Sequence, residues 1–85
     1  MTRPITKFGH VISTEVLNTV IEKMNRLDAF TADDVQRMLE KAGVPLGTRL
    51  EPVSYRAADT LLQRLRKGGV IYFSKAGRHW VRVAK

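Results

Sequence analysis

At Gly68 and Gly69 the spacing of the apolar residues changes from that of a helix to that of strands, and this switch limits the folds open to the chain. Before it, Ala58, Leu61, Leu62 and Leu65 recur every three or four residues, as a helix with one buried face requires. After it, residues 70–73 (Val-Ile-Tyr-Phe) and 79–83 (His-Trp-Val-Arg-Val) are rich in β-branched and aromatic side chains. The five residues between them, 74–78, contain the glycine that a hairpin loop favours. Tyr72, Phe73 and Trp80 are expected to pack against the helices.

Two more helices precede the switch. In the first, Ser13 or Thr14 caps, Glu15 suits the positive N-terminal end, and Val16, Leu17, Val20, Ile21, Met24 and Leu27 mark one buried face. The second carries a nearly complete start signal: Thr31 with Asp34 three residues on forms a capping box, and Phe30 and Val35 stand in staple positions. Val35, Met38, Leu39 and Ala42 are its buried stripe, Gly43 its left-handed end, and Pro45 prevents resumption. Residues 44–53 hold Pro45, Gly47 and Pro52 and no clear period, so they form a loop, with a short extended piece expected at residues 48–50. The third helix is expected to start at Ser54 as N-cap, with Val53 and Ala58 as its staple. No strand is read before or within the three helices.

A chain of 85 residues makes about one small domain, and 44% hydrophobic with 27% charged residues is the composition of a globular one. Residues 1–13 are read as an N-terminal arm and residues 14–85 as the domain. The absence of cysteine excludes a disulfide framework, a thiolate metal site and a cysteine nucleophile. No apolar run approaches a membrane span, and the start lacks a signal-peptide pattern, so a cytoplasmic protein with no membrane partner is expected.

Net charge locates the function more sharply than composition. Residues 1–53 hold seven basic and seven acidic side chains; residues 54–85 hold eight basic ones against Asp59 alone, so the whole +7 belongs to the C-terminal stretch. Such asymmetry is the footprint of a protein that meets a polyanion, and a surface that docks on an acidic partner would share it. At 100° per residue, Arg56, Thr60, Gln63 and Lys67 fall opposite the apolar face of the third helix, with Arg64 beside them. A guanidinium, a hydroxyl, an amide and an ammonium are groups suited to base edges and phosphates, whereas a merely solvated face usually mixes Glu with Lys. Lys75 and Arg78 make the hairpin tip basic, with His79 and Arg82 following within reach of phosphates.

Three helices followed by a hairpin resemble the winged helix-turn-helix family, an α+β fold with a three-helix core and a C-terminal β-hairpin wing. The resemblance spans Thr14 to Val83. It rests on Phe30-Thr31-Ala32-Asp33-Asp34-Val35, on Val53-Ser54-Tyr55-Arg56, and on Leu61-Leu62-Gln63-Arg64-Leu65-Arg66-Lys67-Gly68-Gly69-Val70-Ile71, which is similar to the recognition-helix end of many bacterial repressors. The connection of about ten residues between the second and third helices is longer than the three or four typical of the motif. The resemblance implies sequence-specific double-stranded DNA binding by a small transcriptional regulator. Tyr55, Arg56, Thr60, Gln63, Arg64 and Lys67 would sit in the major groove, and Lys75, Arg78 and His79 on the wing. The alternative is a winged helix used as a protein-interaction module, of the kind a phage or plasmid protein docks on an acidic partner surface; exposed apolar residues on the third helix or wing would favour it. A homodimer is compatible with either. No enzyme is expected: His10 and His79 are the only histidines, Asp33 and Asp34 serve a helix start, and no phosphate loop, HExxH or GxSxG occurs. Two isolated histidines likewise fall short of a zinc site, and no cofactor is expected.

Overall fold

The computed structural model describes residues 3–82, and within them the chain is α+β, with three helices and two small antiparallel sheets. Residues read as an arm form the first sheet: β1 (Ile5–Lys7) pairs with β2 (His10–Ile12). The two residues between them, Phe8 and Gly9, both take positive φ (49° and 79°), the geometry of the two-residue turn that matches strand twist. Phe8 is outside the Asn, Asp and Gly set that signals such a turn, and each strand is only three residues long, which explains why the pattern did not show. Ile5 and Ile12 face each other across the register and both are buried in the core.

Helix α1 (Thr14–Met24) begins at Ser13, whose side chain accepts from the Val16 amide at 3.3 Å. Leu17, Val20 and Met24 are buried as the period requires. Leu27 is not: the helix stops at Met24, so Leu27 falls past its last turn and is 38% exposed. The chain then enters a short strand that no local pattern marks, β3 (Ala29–Phe30). Helix α2 (Ala32–Lys41) has the expected capping box, with the Asp34 amide donating to Thr31 Oγ1 at 3.1 Å and the Thr31 amide to Asp34 Oδ2 at 2.9 Å. Its end is a Schellman motif: Gly43 is left-handed, and the Val44 amide reaches back to Leu39 O at 3.0 Å.

The connection to α3 (Val53–Lys67) has no strand. Instead of an extended piece at residues 48–50 there is a turn, in which the Thr48 amide donates to Glu51 O and the Glu51 amide to Thr48 Oγ1, each at 3.0 Å. Gly47, at φ 81°, lies where a Cβ would meet Glu51 O at 2.2 Å, so this turn demands glycine. The N-cap of α3 is Pro52, not Ser54, and no side chain caps it. Ser54 is the second residue of the helix, fully buried in its first turn, where its hydroxyl donates to Glu40 Oε2 at 2.8 Å and accepts from Gln36 Nε2 at 3.3 Å. Because the helix starts at Val53, Ser54 stands within its first turn and not at the cap, and its hydroxyl serves as a polar bolt between α2 and α3.

Val53, Ala57, Ala58, Leu61 and Leu62 of α3 are buried and pack with Leu17, Val20, Val35 and Leu39 into a single core. A second Schellman motif ends α3, with Gly69 left-handed, its amide on Arg66 O and the Val70 amide on Leu65 O, both at 3.0 Å. β4 (Ile71–Ser74) and β5 (His79–Arg82) form the expected hairpin, one residue later at its start because Val70 belongs to the helix end; Val83 lies outside the described residues. The second sheet has the order β3-β5-β4, with Phe30 opposite Trp80 and Phe73 opposite Trp80 on its other side.

Candidate nucleic-acid interface

Helix α3 presents its polar side as the 100° period requires. Arg56 and Lys67 are exposed, whereas Thr60 and Gln63 are half-buried, and Gln63 Oε1 accepts from Arg66 Nε at 3.2 Å. Among the described residues neither Arg56 nor Lys67 forms an ion pair; the two pairs present are Arg37 with Asp33 at 3.0 Å and Arg82 with Asp28 at 3.7 Å.

The structure separates Tyr55 and Arg64 from that group. Tyr55, 54% exposed, lines a shallow cleft of about 170 Å³ between the first turns of α2 and α3, and Asp33 and Asp59 line it too. Asp33 is offset by its pair with Arg37, and the Asp59 carboxylate makes that side of α3 unfavourable for a phosphate. Arg64 turns the other way and donates from Nη1 to Arg3 O and from Nη2 to Pro4 O, the latter at 3.2 Å, so its guanidinium ties the segment before β1 to α3. Sixty residues of sequence separate these partners, and helical period alone places Arg64 beside the outward stripe; only the fold shows what it holds.

On the hairpin, Lys75 and Arg78 are exposed in the four-residue loop between β4 and β5. Arg78, and not Gly77, takes the left-handed conformation, at φ 54°. Gly77 serves another purpose: the His79 ring folds over it, with Nδ1 2.8 Å from Gly77 O, in space a Cβ would occupy. His79 is therefore half-buried against the loop. Arg82 departs from its expected phosphate role: Nη1 donates to Asn25 O, Nη2 faces Asp28, and its amide extends the ladder to Asp28 O. The basic hairpin is thus basic at its tip alone, through Lys75 and Arg78. Lys85 lies outside the described residues.

Trp80 is half-buried on the core, as expected, and meets Phe73 edge to face with ring centroids 5.3 Å apart. Tyr72 and Phe73, expected to be packed, are 52% and 46% exposed. Successive strand residues alternate faces, so while Ile71 turns into the core Tyr72 turns away from it, and Phe73 sits farther along the hairpin, beside Trp80. Among the described residues no three His, Asp or Glu side chains converge as metal ligands, and no helix is long and apolar enough to cross a membrane. Compared with known proteins, the chain matches no family model, no curated protein and no solved structure.

Proposed function

We propose that this chain binds double-stranded DNA as a winged helix-turn-helix regulator, with α3 in the major groove and the loop between β4 and β5 on the phosphate backbone. One observation carries the reading: Arg56 and Lys67 on α3 and Lys75 and Arg78 on the hairpin tip are exposed and unpaired among the described residues, within the stretch that holds the whole +7. The sheet adds support. β3, between α1 and α2, is the strand such a wing pairs with, and the order β3-β5-β4 agrees with that arrangement.

In this reading the roles follow from donor chemistry. Arg56, near the start of α3, suits a bidentate contact to guanine, and Gln63 one to adenine once it exchanges its bond to Arg66 for a base; Thr60 lies between them. Lys67, Lys75 and Arg78 neutralise phosphates, with Arg66 at the edge of the face. Three to four such contacts give a fall of log K with log salt at a slope of roughly −3 to −4.

The test is the affinity for a random 20-base-pair duplex from low to physiological salt, repeated with Lys75 and Arg78 both changed to Ala. Loss of two contacts should make the slope shallower by nearly two without changing sequence preference. Absence of duplex binding at low salt overturns the proposal. The second reading, docking on an acidic protein surface, is favoured by the exposure of Tyr72 and Phe73 on the hairpin. It predicts a gentler salt dependence, since a protein surface releases no condensed counterions.

A further inference from the structure

The segment before β1, helix α1 and the end of α3 enclose an open groove of about 620 Å³. Its lining grades from cationic at the mouth to apolar with depth. Leu61 is buried at the bottom, Ile21 and Leu65 are half-buried, Val70 is 40% exposed, and Arg3 and Arg64 lie at the surface. No carboxylate lines it. The Schellman turn fixes Val70 beside Leu65, and the carbonyls of Arg3 and Pro4 hold the Arg64 guanidinium in place while leaving three of its five N–H donors.

We propose that this groove binds a small carboxylate with an apolar tail, its carboxylate on Arg3 and Arg64 and its tail over Ile21, Leu65 and Val70. The volume is that of small-molecule sites, about 300–1,000 Å³. Two arginines with no acid among them favour an anion, and the planar fork of arginine suits a carboxylate. An inorganic anion would leave the apolar floor wet, and a neutral alkyl chain would leave the arginines without a partner. A second copy of the chain would bring the same two cations and another +7 to the site.

The experiment titrates the full chain with decanoate below its micellar concentration and follows amide NMR shifts, with decan-1-ol and acetate as controls for head and tail. The expected result is saturable decanoate binding that shifts the amides of Ile21, Leu65 and Val70, with each control at least about tenfold weaker. Arg3→Gln, at an exposed position outside the core, should weaken decanoate about tenfold, and Val70→Glu, which places a carboxylate in the groove, should abolish it; circular dichroism verifies that both variants fold. Equal affinity for decan-1-ol, indifference to both variants, or shifts that map elsewhere overturn the proposal. No DNA enters the measurement, so its outcome is independent of the duplex reading.

Discussion

The N-terminal hairpin buries a side chain on each of its strands, Ile5 and Ile12, whereas the C-terminal hairpin buries Ile71 and leaves Tyr72 and Phe73 about half exposed. Both loops hold a non-glycine in the left-handed region, Phe8 in one and Arg78 in the other. Their surroundings differ more than their backbones do. The first is fastened along its base by Arg64 of α3 and serves as a wall of the core; the second is fastened at its base by Arg82 and by pairing with β3, and carries its tip away from the core. Both hairpins keep an exposed side, since Val11 and Phe8 of the first are 70% and 43% exposed; the difference lies in how much of each the core covers, a residue on both strands of the first against Ile71 alone among the buried residues of the second.

The buried strand of the first hairpin carries the most stability. Ile5→Ala should destabilise the protein by about 2–5 kcal/mol, while Tyr72→Ala should stay within about 0.5 kcal/mol, both read from denaturant midpoints. An equal cost at the two positions would mean that the C-terminal hairpin is as much a core element as the N-terminal one. Next in size is the bolt between α2 and α3, on which both hairpins depend through α3. Ser54→Ala removes a donor to the Glu40 carboxylate and should cost about 1–3 kcal/mol. A double-mutant cycle with Glu40→Ala should show coupling of at least about 0.5 kcal/mol, and additive effects would contradict the pairing.

A smaller effect sharpens the exposed end. Phe73→Leu keeps an apolar side chain but loses the edge-to-face contact with Trp80, and should cost about 0.5–1.5 kcal/mol in thermal unfolding. Smallest for stability is the pair of changes at the tip: Lys75→Ala with Arg78→Ala should alter unfolding by no more than about 0.5 kcal/mol while weakening duplex affinity. Stability loss in step with binding loss would show that the tip is structural.

The features legible in the sequence are those held by near neighbours along the chain. The period of α1, α2 and α3, the Thr31 and Asp34 capping box and the glycine ends at Gly43 and Gly69 are set by interactions three to five residues apart, and the strand pair after them joins residues no more than 11 apart, from Ser74 with His79 to Ile71 with Arg82. The exposure of Arg56, Lys67, Lys75 and Arg78 follows from the same periods and charges. The remaining features come from contacts between distant parts of the chain. β3 is two residues long and exists as a strand because β5 lies beside it; Ser54 bonds across 14 residues to Glu40, Arg82 across 57 to Asn25, and Arg64 across 61 to Arg3. A guanidinium or a hydroxyl has the same donors wherever it stands, so its sequence position cannot say which acceptor the folded chain brings to it. Burial acts likewise, for Leu27 and Val20 share a pattern but only Val20 lies where the other elements close over it.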